Sequence, residues 1–361
     1  MPKSTLKILF FADTHLGFDL PLHPRIQRRR RGDDFFANYH HILNFALTEK
    51  VDLLIHGGDF FFRNKVSPFI IEQAFEALIE VARAGIPIYL VPGNHERSKL
   101  PGHLWLAHPK IRVFDKPRTF YQDIHGYVIA LTGFPFMRKI RDGFQECLGR
   151  AGFYPNRAAF HFLCLHQTFE GAQVGPADFT FRKGVDNIPG AFIPQAVTAV
   201  LSGHIHRSQT LTHALDGLPL PAPVIYPGSI ERTSFAERFE EKHFVLLEIH
   251  PSHPKSQLEA SLIDLPTRPM VKVEVPIQID DKEGIKGKIR EVLFKLDPDS
   301  IVQVHLTGPG ASSLQGMLSN RDLRGLAPRA MNITLVHPWK ESNKGLAQKM
   351  DQNSITQSWI R

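Results

Sequence analysis

Five short apolar segments of the sequence are each followed at once by a small cluster of glycine and polar residues. The segments are rich in β-branched or aromatic residues and are short enough to be buried strands. They occupy residues 7–12, 51–56, 87–91, 160–165 and 199–201. Two stretches with apolar residues at helical spacing, 33–50 and 68–84, separate the first three segments. This β-α-β-α-β opening predicts a layered α/β fold.

Chain length and proline-rich stretches predict two domains and a tail. A chain of 361 residues is long enough for two domains of ordinary size. Polar, proline-rich stretches at 250–255 and 266–269 indicate a boundary. New strands and one helix are expected beyond it, at 271–275, 282–296, 301–306 and 331–335. We therefore expect a large domain over residues 1–264, a smaller α/β domain over 265–340 and a polar tail over 341–361.

Composition narrows the class of protein. With 42% hydrophobic and 22% charged residues, the chain has the composition of a globular protein, which excludes global disorder. The two cysteines, Cys147 and Cys164, exclude a disulfide framework and favour a reducing compartment. The apolar run at 8–12 is too short for a signal peptide, and no segment approaches the roughly 18 apolar residues of a membrane span. We therefore expect a cytoplasmic protein with no membrane segment.

The net charge of +7 is compatible with a polyanionic partner, but the excess is spread along the chain. One local exception is Arg25 with residues 28–31, directly before Asp33 and Asp34. This arginine cluster is either a loop that contacts phosphate or a solvated loop before a helix capped by an aspartate. The sequence leaves both alternatives open.

Side chains with the donor atoms of metal ligands follow each of the five predicted strands. Because sites in α/β sheets form at the carboxyl ends of the strands, we expect these side chains to converge. The pairs Asp13 with His15 and His204 with His206 are two residues apart, a spacing that puts both side chains of an extended segment on one side. Alone, D-x-H, G-N-H-E and a single histidine are more typical of a loop or a structural histidine, and H-x-H is equally typical of a ligand pair, but the ordered set predicts a metal site for Mn²⁺, Fe²⁺ or Zn²⁺. The motifs are D-T-H at 13–15, G-G-D at 57–59, G-N-H-E at 93–96, His166 and G-H-I-H at 203–206.

This ordered set resembles the calcineurin-like metallophosphoesterases. The segments D-T-H-L-G, H-G-G-D-F-F, L-H-Q-T and above all Y-P-G-S-I-E-R-T-S-F at 226–235 are similar to the SbcD-like nucleases of bacteria, which are related to the meiotic-recombination nucleases of archaea and eukaryotes. The resemblance covers residues 5–340. It implies a layered αββα metallophosphoesterase sandwich with a smaller α/β capping domain.

The resemblance also implies roles for individual residues. It implies two divalent ions, Mn²⁺ in preference to Mg²⁺, Fe²⁺ or Zn²⁺, that share one carboxylate. One ion would be held by Asp13, His15, Asp59 and His206, and the other by Asp59, Asn94, His166 and His204. Two such ions about 3.5 to 4 Å apart can hold a hydroxide in line with a phosphorus atom and neutralise the charge that develops on its oxygens. His95 would protonate the leaving oxygen or stabilise the transition state, with an orienting role as its alternative.

The chain departs from the family pattern three residues after Asp59. The family has His or Asp there, which touches the substrate phosphate or orients the catalytic histidine, whereas this chain has Phe62. Because a phenylalanine side chain does neither, we expect an intact metal shell but weakened exonuclease activity. Replacing Phe62 with His should then raise exonuclease turnover.

Four basic residues are candidates for contacts with the substrate. Arg63 is a candidate to supply the phosphate contact that position 62 lacks, with Asn64 and Lys65 as its alternatives. Arg182 and Lys183 follow the aromatic segment 179–181 and form either a loop for a nucleic-acid backbone or a solvated loop. Arg232, inside the 226–235 block, either faces the substrate or is a structural arginine that pairs with a nearby glutamate.

Three functions are compatible with these residues. The resemblance implies a metal-dependent DNA exonuclease and endonuclease for end processing and double-strand break repair, acting as a homodimer with an SbcC-like coiled-coil ATPase. A small-molecule phosphodiesterase or phosphatase on the same site is an alternative, because the shared motifs do not specify a substrate. A non-catalytic adaptor for DNA or the ATPase is the third function, and the complete ligand set argues against it, because buried polar groups without a metal are costly. The tail at 341–361 offers little apolar area. An ATPase would therefore bind the tail through a compact interface, bind another part of the chain, or not bind at all.

Overall fold

The computed structural model describes residues 5–20, 29–97, 99–102, 108–251, 258–278, 284–309, 311 and 318–336. Within these ranges the chain divides into two compact units, one with residues 5–20 and 32–267 and the other with residues 29–31 and 268–336. The predicted tail, 341–361, and two residues of the arginine cluster, Arg25 and Arg28, lie outside the described residues. Among the helices that the structure describes, none combines the length and the apolar character needed to span a bilayer.

Two six-stranded mixed sheets form the larger unit. In spatial order the first sheet consists of Leu258–Leu265 (β16), Lys242–Ile249 (β15), Leu6–Phe11 (β1), Leu53–His56 (β2), Ile88–Leu90 (β3) and Ile111–Val113 (β4). The second consists of Gln209–His213 (β13), Pro219–Tyr226 (β14), Ala199–Ser202 (β12), Phe160–Leu165 (β7), Tyr127–Gly133 (β6) and Arg118–Ile124 (β5). Strands β1 to β4 run parallel, and so do β14, β12, β7 and β6. In the first sheet β15 pairs antiparallel with both β1 and β16, and in the second the two edge strands, β13 and β5, pair antiparallel with their neighbours.

Helices and short ribbons complete the larger unit. Its α-helices are Arg31–Thr48 (α1), Pro68–Arg83 (α2) and Ile140–Ala151 (α3), and its 3₁₀ turns are Pro155–Arg157, Gly190–Phe192 and Phe235–Glu237. Two small ribbons pair Thr168–Phe169 (β8) with Asn187–Ile188 (β11) and Gln173–Val174 (β9) with Phe179–Thr180 (β10). Helix α2 begins as its sequence predicts, because Ser67 caps it through the Ile70 N–H and Pro68 occupies its first turn.

Alternation of side chains along the strands creates the layers. In β1, Ile8 and Phe10 pack into the core between the two sheets, together with residues of β7 and β12. Leu9 and Phe11 lie on the opposite face of β1 and pack against α1 and α2. Leu163 of β7 lies on the outer face of the second sheet and packs against α3. The order of layers is therefore helix, sheet, sheet, helix, and the predicted layered α/β fold class is confirmed.

The smaller unit has its own sheet and core. Three parallel strands, Met270–Pro276 (β17), Ile301–Thr307 (β18) and Asn332–Val336 (β19), form the sheet in that order. Helices Ile285–Phe294 (α4) and Asn320–Leu326 (α5) bury apolar residues against one of its faces. Arg29 of the arginine cluster forms an ion pair with Asp299 inside this unit.

The structure corrects two expectations from the sequence. Helix α1 begins at Arg31, so Asp33 and Asp34 lie in its first turn and neither is the capping residue. Their negative charges interact favourably with the positive end of the helix dipole. The proline-rich stretch at 250–255 does not separate the two units. It lies between β15 and β16, which pair antiparallel from Lys242 with Leu265 to Ile249 with Leu258.

Candidate metal centre

The residues that follow the five predicted strands lie in one cluster. Strands β1, β2 and β3 are neighbours in the first sheet, and β7 and β12 are neighbours in the second, so their carboxyl ends meet across the sandwich. Three overlapping groups of side chains have donor atoms within 4.8 Å of one another. These groups are Asp13 with His15 and His206, His15 with Asp59 and His95, and Asp59 with His166 and His204.

Tight backbone turns bring these side chains together. Four cluster residues have a positive φ, namely Asp13 at 52°, His15 at 43°, Asp59 at 52° and His204 at 84°. Residues other than glycine rarely adopt this conformation, and such strain concentrates at functional sites. The spacing argument for extended chain at 13–15 and 204–206 was therefore wrong in its geometry: Asp13 and His15 do share a donor group, but His204 and His206 belong to different groups.

Two glycines leave room for the cluster. Gly58 has a φ of +105°, and a Cβ there would lie 2.2 Å from His166 Nδ1. A Cβ on Gly93 would lie 2.2 Å from Asp59 Oδ1. Any side chain at either position would therefore displace a residue of the cluster.

His166 is oriented by a main-chain carbonyl. Its Nδ1–H donates to the carbonyl oxygen of Gly57 at 2.8 Å. Its Nε2 therefore faces the cluster, 3.0 Å from Asn94 Oδ1 and 3.3 Å from Asp59 Oδ2. Burial lowers the pKa of His166, but the charge of Asp59 outweighs burial and raises that pKa to about 9. This is the orientation that a metal-binding imidazole takes when a carbonyl fixes its tautomer.

His95 is oriented in the same way, by the residue that departs from the family pattern. Its Nδ1–H donates to the carbonyl oxygen of Phe62 at 2.6 Å, and its Nε2 lies 3.7 Å from Asp59 Oδ2. The expectation from the sequence considered only the side chain at position 62 and did not foresee this main-chain contact. The backbone of Phe62 does what its side chain cannot.

The donor set fits a divalent cation. His15 Nε2 and His206 Nε2 are 3.0 Å apart, and Asn94 Oδ1 lies 3.0 Å from both His166 Nε2 and His204 Nδ1. His15 Nδ1 is buried and has no hydrogen-bond partner within the described ranges. Imidazole nitrogens with amide and carboxylate oxygens, aimed at shared points and lacking thiolates, match borderline and hard divalent ions.

Burial and the charges of neighbouring side chains together set the pKa values in the cluster. It raises the pKa of Asp13 to about 6, against the opposing charges of His166 and His206. Burial also raises the pKa of Asp59, but the charge and hydrogen bond of His166 outweigh it and hold that pKa well below its usual range. Burial, with the charge of His166, lowers the pKa of His204 to about 3. The His204 imidazole is therefore neutral at physiological pH and keeps a lone pair for a ligand bond.

A buried ion-pair network that we did not predict supports His206. Glu237 Oε1 lies 3.3 Å from His206 Nδ1, so a proton on that nitrogen points away from the cluster. Lys242 Nζ donates to Glu237 Oε2 at 2.8 Å and to the His206 carbonyl oxygen at 3.1 Å. The Lys242 side chain is only 1% exposed. Glu237 follows the 226–235 block by two residues, but only the folded chain shows that it meets a histidine.

A second buried carboxylate, also not predicted, holds two of the motif loops. Glu96 accepts hydrogen bonds from the N–H groups of Phe61 at 2.6 Å and Gly93 at 3.0 Å. Nearby, His56 Nδ1 accepts from the Gly58 N–H at 3.2 Å, and its Nε2 lies 3.0 Å from Thr14 Oγ1. Neither Glu96 nor His56 belongs to the donor groups. They fix the turns on which the donors stand.

The four basic candidates differ in their surroundings. Arg63 is exposed beside the cluster, with its guanidinium 5.5 Å from the centre of the Phe62 ring. Arg182 and Lys183 are exposed after β10. Arg232 is only 9% exposed, and its Nε donates to the Glu240 carbonyl oxygen at 2.8 Å. Of the two alternatives for Arg232, this placement favours the structural one.

Comparisons with known proteins agree with the donor set. The family model for calcineurin-like phosphoesterases matches residues 6–208. Among curated proteins, the chain is similar to DNA double-strand break repair proteins Mre11 of archaea. It is 23% identical to that of Archaeoglobus fulgidus over 85% of this chain and 69% of the relative. It is 24% identical to that of Methanosarcina mazei over 86% of this chain and 46% of the relative. It is 27% identical to that of Haloferax volcanii over 84% of this chain and 62% of the relative.

Two solved structures that resemble the chain do so at low identity. A dimetal phosphatase from Danio rerio has a TM-score of 0.39 at 10% identity and is covered over its whole length by 74% of this chain. A phosphoesterase from E. coli has a TM-score of 0.34 at 13% identity and is covered over its whole length by 72% of this chain.

Proposed function

The chain belongs to the calcineurin-like phosphoesterase family, and from this premise we propose that it is a divalent-metal-dependent nuclease that hydrolyses phosphodiester bonds of DNA. The observation that carries the proposal is the convergence of oxygen and imidazole donors from five strand ends, with no thiolate among them. Such a donor set is costly to bury unless it binds cations.

We assign the donors to two ions that share Asp59. Asp13, His15, Asp59 and His206 would hold one ion, and Asp59, Asn94, His166 and His204 would hold the other. Mn²⁺ is the ion we propose. When bound, such ions activate water and neutralise negative charge that develops on a phosphate ester.

His95 is the residue we propose for proton transfer. Its side chain is 19% exposed, whereas that of His166 is fully buried, so His95 can reach a substrate. The Phe62 carbonyl oxygen holds its Nδ1–H, which leaves Nε2 to carry a second proton toward the leaving oxygen. The imidazolium form would also stabilise the negative charge of the transition state.

DNA is the substrate class that three observations support. The curated relatives are named for DNA double-strand break repair. The net charge of +7 and the exposed Arg63 favour a polyanionic substrate, and Arg182 and Lys183 would add contacts to its backbone. We further propose a role in DNA end processing, as a homodimer with a coiled-coil ATPase of the SbcC type.

The test compares substrates and metal loading. Metal-free protein is assayed with and without Mn²⁺ on plasmid DNA, hairpin DNA and bis(p-nitrophenyl) phosphate. We expect Mn²⁺-dependent cleavage of DNA that the Asp59→Asn variant loses. Asp216→Asn, which changes an exposed carboxylate in the turn between β13 and β14, is the matched control and should keep full activity.

The outcomes separate the alternatives. Hydrolysis of the small ester without cleavage of DNA would favour a small-molecule phosphodiesterase. DNA binding without hydrolysis of either substrate would favour an adaptor. Absence of Mn²⁺ uptake in titration calorimetry would refute the metal-dependent mechanism.

A further inference from the structure

Two phenylalanine rings border the donor cluster at different ends. The Phe62 ring centre lies 6.1 Å from that of His15 and 5.8 Å from that of His95. The Phe136 ring centre lies 6.1 Å from that of His166 and 5.4 Å from that of His204. One ring therefore stands beside the donors of the first proposed ion, and the other stands beside those of the second.

Main-chain hydrogen bonds fix the backbone of both residues, and neither ring belongs to the buried hydrophobic core. The N–H of Phe62 donates to the Leu16 carbonyl oxygen at 3.0 Å, and that of Phe136 donates to the Pro92 carbonyl oxygen at 2.9 Å. Both residues are half-buried, so part of each ring is accessible. Neither is named in the hydrophobic clusters of the described residues, to which Phe10 and Phe60 belong, although the Phe62 ring centre lies 4.8 Å from that of Phe18 at the rim of one cluster. Both rings therefore lie outside the buried core and beside the donor cluster.

A nucleic-acid substrate offers flat bases that such rings can bind. A phosphodiester in a nucleic acid is flanked by two nucleotides, each with a flat base. Aromatic side chains bind such bases by stacking, without regard to base identity. Arg63, whose guanidinium stands over Phe62, adds a positive charge beside one ring.

We propose that Phe62 and Phe136 form two base-stacking subsites, one for each nucleotide that flanks the scissile phosphate. The inference rests on the proposed function, because it takes that phosphate to bind at the donor cluster. Paired bases are already stacked within a duplex and do not offer their faces. The two rings therefore make the site selective for unpaired nucleotides.

The test measures binding, so that it does not depend on cleavage. A single-stranded oligonucleotide carries 2-aminopurine at one central position and phosphonate linkages that keep the negative charge but resist hydrolysis. An abasic oligonucleotide with the same linkages provides the backbone without bases. Both are titrated with the Mn²⁺-loaded wild type and with the Phe62→Leu and Phe136→Leu variants. Phe294→Leu, which shortens an exposed ring of α4, is the matched control.

We expect the wild type to quench the 2-aminopurine fluorescence. Each variant should lose quenching and bind the base-containing strand about tenfold more weakly, as loss of one stacked base implies. Binding of the abasic strand should be equal for all four proteins, and the Phe294→Leu variant should match the wild type on both strands.

Two results would overturn the inference. Unchanged binding of the base-containing strand by both variants would show that the rings contact no base. Equal losses on the base-containing and abasic strands would show that the rings only hold the histidines in place. The proposed function is tested separately, by Mn²⁺-dependent cleavage of an unmodified strand. Stacking without such cleavage would contradict the proposed hydrolysis but would still support the two stacking subsites.

Discussion

Single side chains around the donor cluster divide into those that offer donor atoms and those that orient them. His166 and His95 are oriented by carbonyl oxygens of Gly57 and Phe62, and His206 is oriented by the Glu237 carboxylate. A carboxylate behind an imidazole increases the basicity of the opposite nitrogen and fixes the plane of the ring. The orienting residues therefore set the affinity of a site without touching the ion.

Replacing Glu237 with Gln tests this division. We expect Mn²⁺ affinity to fall about 10- to 100-fold, because the amide loses the negative charge that polarises His206. Titration calorimetry on chelator-treated protein measures the effect. Glu170→Gln is the control, since Glu170 is a half-buried carboxylate that pairs with Arg141 and should leave Mn²⁺ affinity unchanged. Equal affinities for the Glu237→Gln variant and the wild type would remove Glu237 from the site.

Replacing Phe62 with His tests the departure from the family pattern. The substitution keeps the backbone carbonyl that holds His95 and adds an imidazole that can contact a phosphate oxygen. We expect higher turnover in Mn²⁺-dependent digestion of duplex ends, measured by release of labelled nucleotides. Phe62→Leu, which keeps the carbonyl but adds no donor, should show no gain. Digestion by the Phe62→His variant at the wild-type rate would contradict the prediction.

At the level of elements, the sequence predicts what depends on burial and misses what depends on turns and edges. Strands β1, β2, β3, β7 and β12 are buried apolar runs, and their positions agree with the prediction to within two residues. Edge strand β16 was not predicted because most of its side chains are exposed and no apolar run indicates it. The left-handed turns at Asp13 and His204 were not predicted because residues other than glycine give no sequence signal for a positive φ.

The turn after β2 offers a test at this scale. Gly58→Ala adds a Cβ 2.2 Å from His166 Nδ1, at a φ of +105° that alanine rarely adopts. We expect the free energy of unfolding, measured by urea denaturation, to fall by about 1 to 3 kcal/mol, and Mn²⁺ binding to weaken. Gly143→Ala in α3 is the control, because a Cβ there meets no atom within 4 Å. That control should gain about 0.5 to 1 kcal/mol, since alanine favours a helix over glycine.

At the level of the larger unit, the donor cluster draws on both sheets of the sandwich. His15 follows β1 of the first sheet, His206 follows β12 of the second, and the two are 191 residues apart in the chain. An ion held by both would bind the folded chain and not the unfolded one, so binding and folding are linked. The fold and the site thus stabilise each other.

Removal of metal tests this linkage. We expect Mn²⁺ at a hundred times its dissociation constant to raise the free energy of unfolding by about 2.7 kcal/mol over the metal-free protein. Thermal unfolding, followed by circular dichroism with Mn²⁺ or with a chelator, should show a rise of several degrees. The Asp59→Asn variant should show a much smaller rise. An unfolding temperature that ignores Mn²⁺ in the wild type would argue against an ion that joins the two sheets.

The atom that holds His95 belongs to the main chain of position 62, and a peptide oxygen remains there whichever amino acid is encoded. Only proline is incompatible, because the amide of this residue is engaged with the Leu16 carbonyl oxygen. Eighteen other residues can therefore replace Phe62 while the His95 imidazole keeps its orientation. The side chain at position 62 can thus vary without loss of the hydrogen bond that orients His95, the residue proposed for proton transfer.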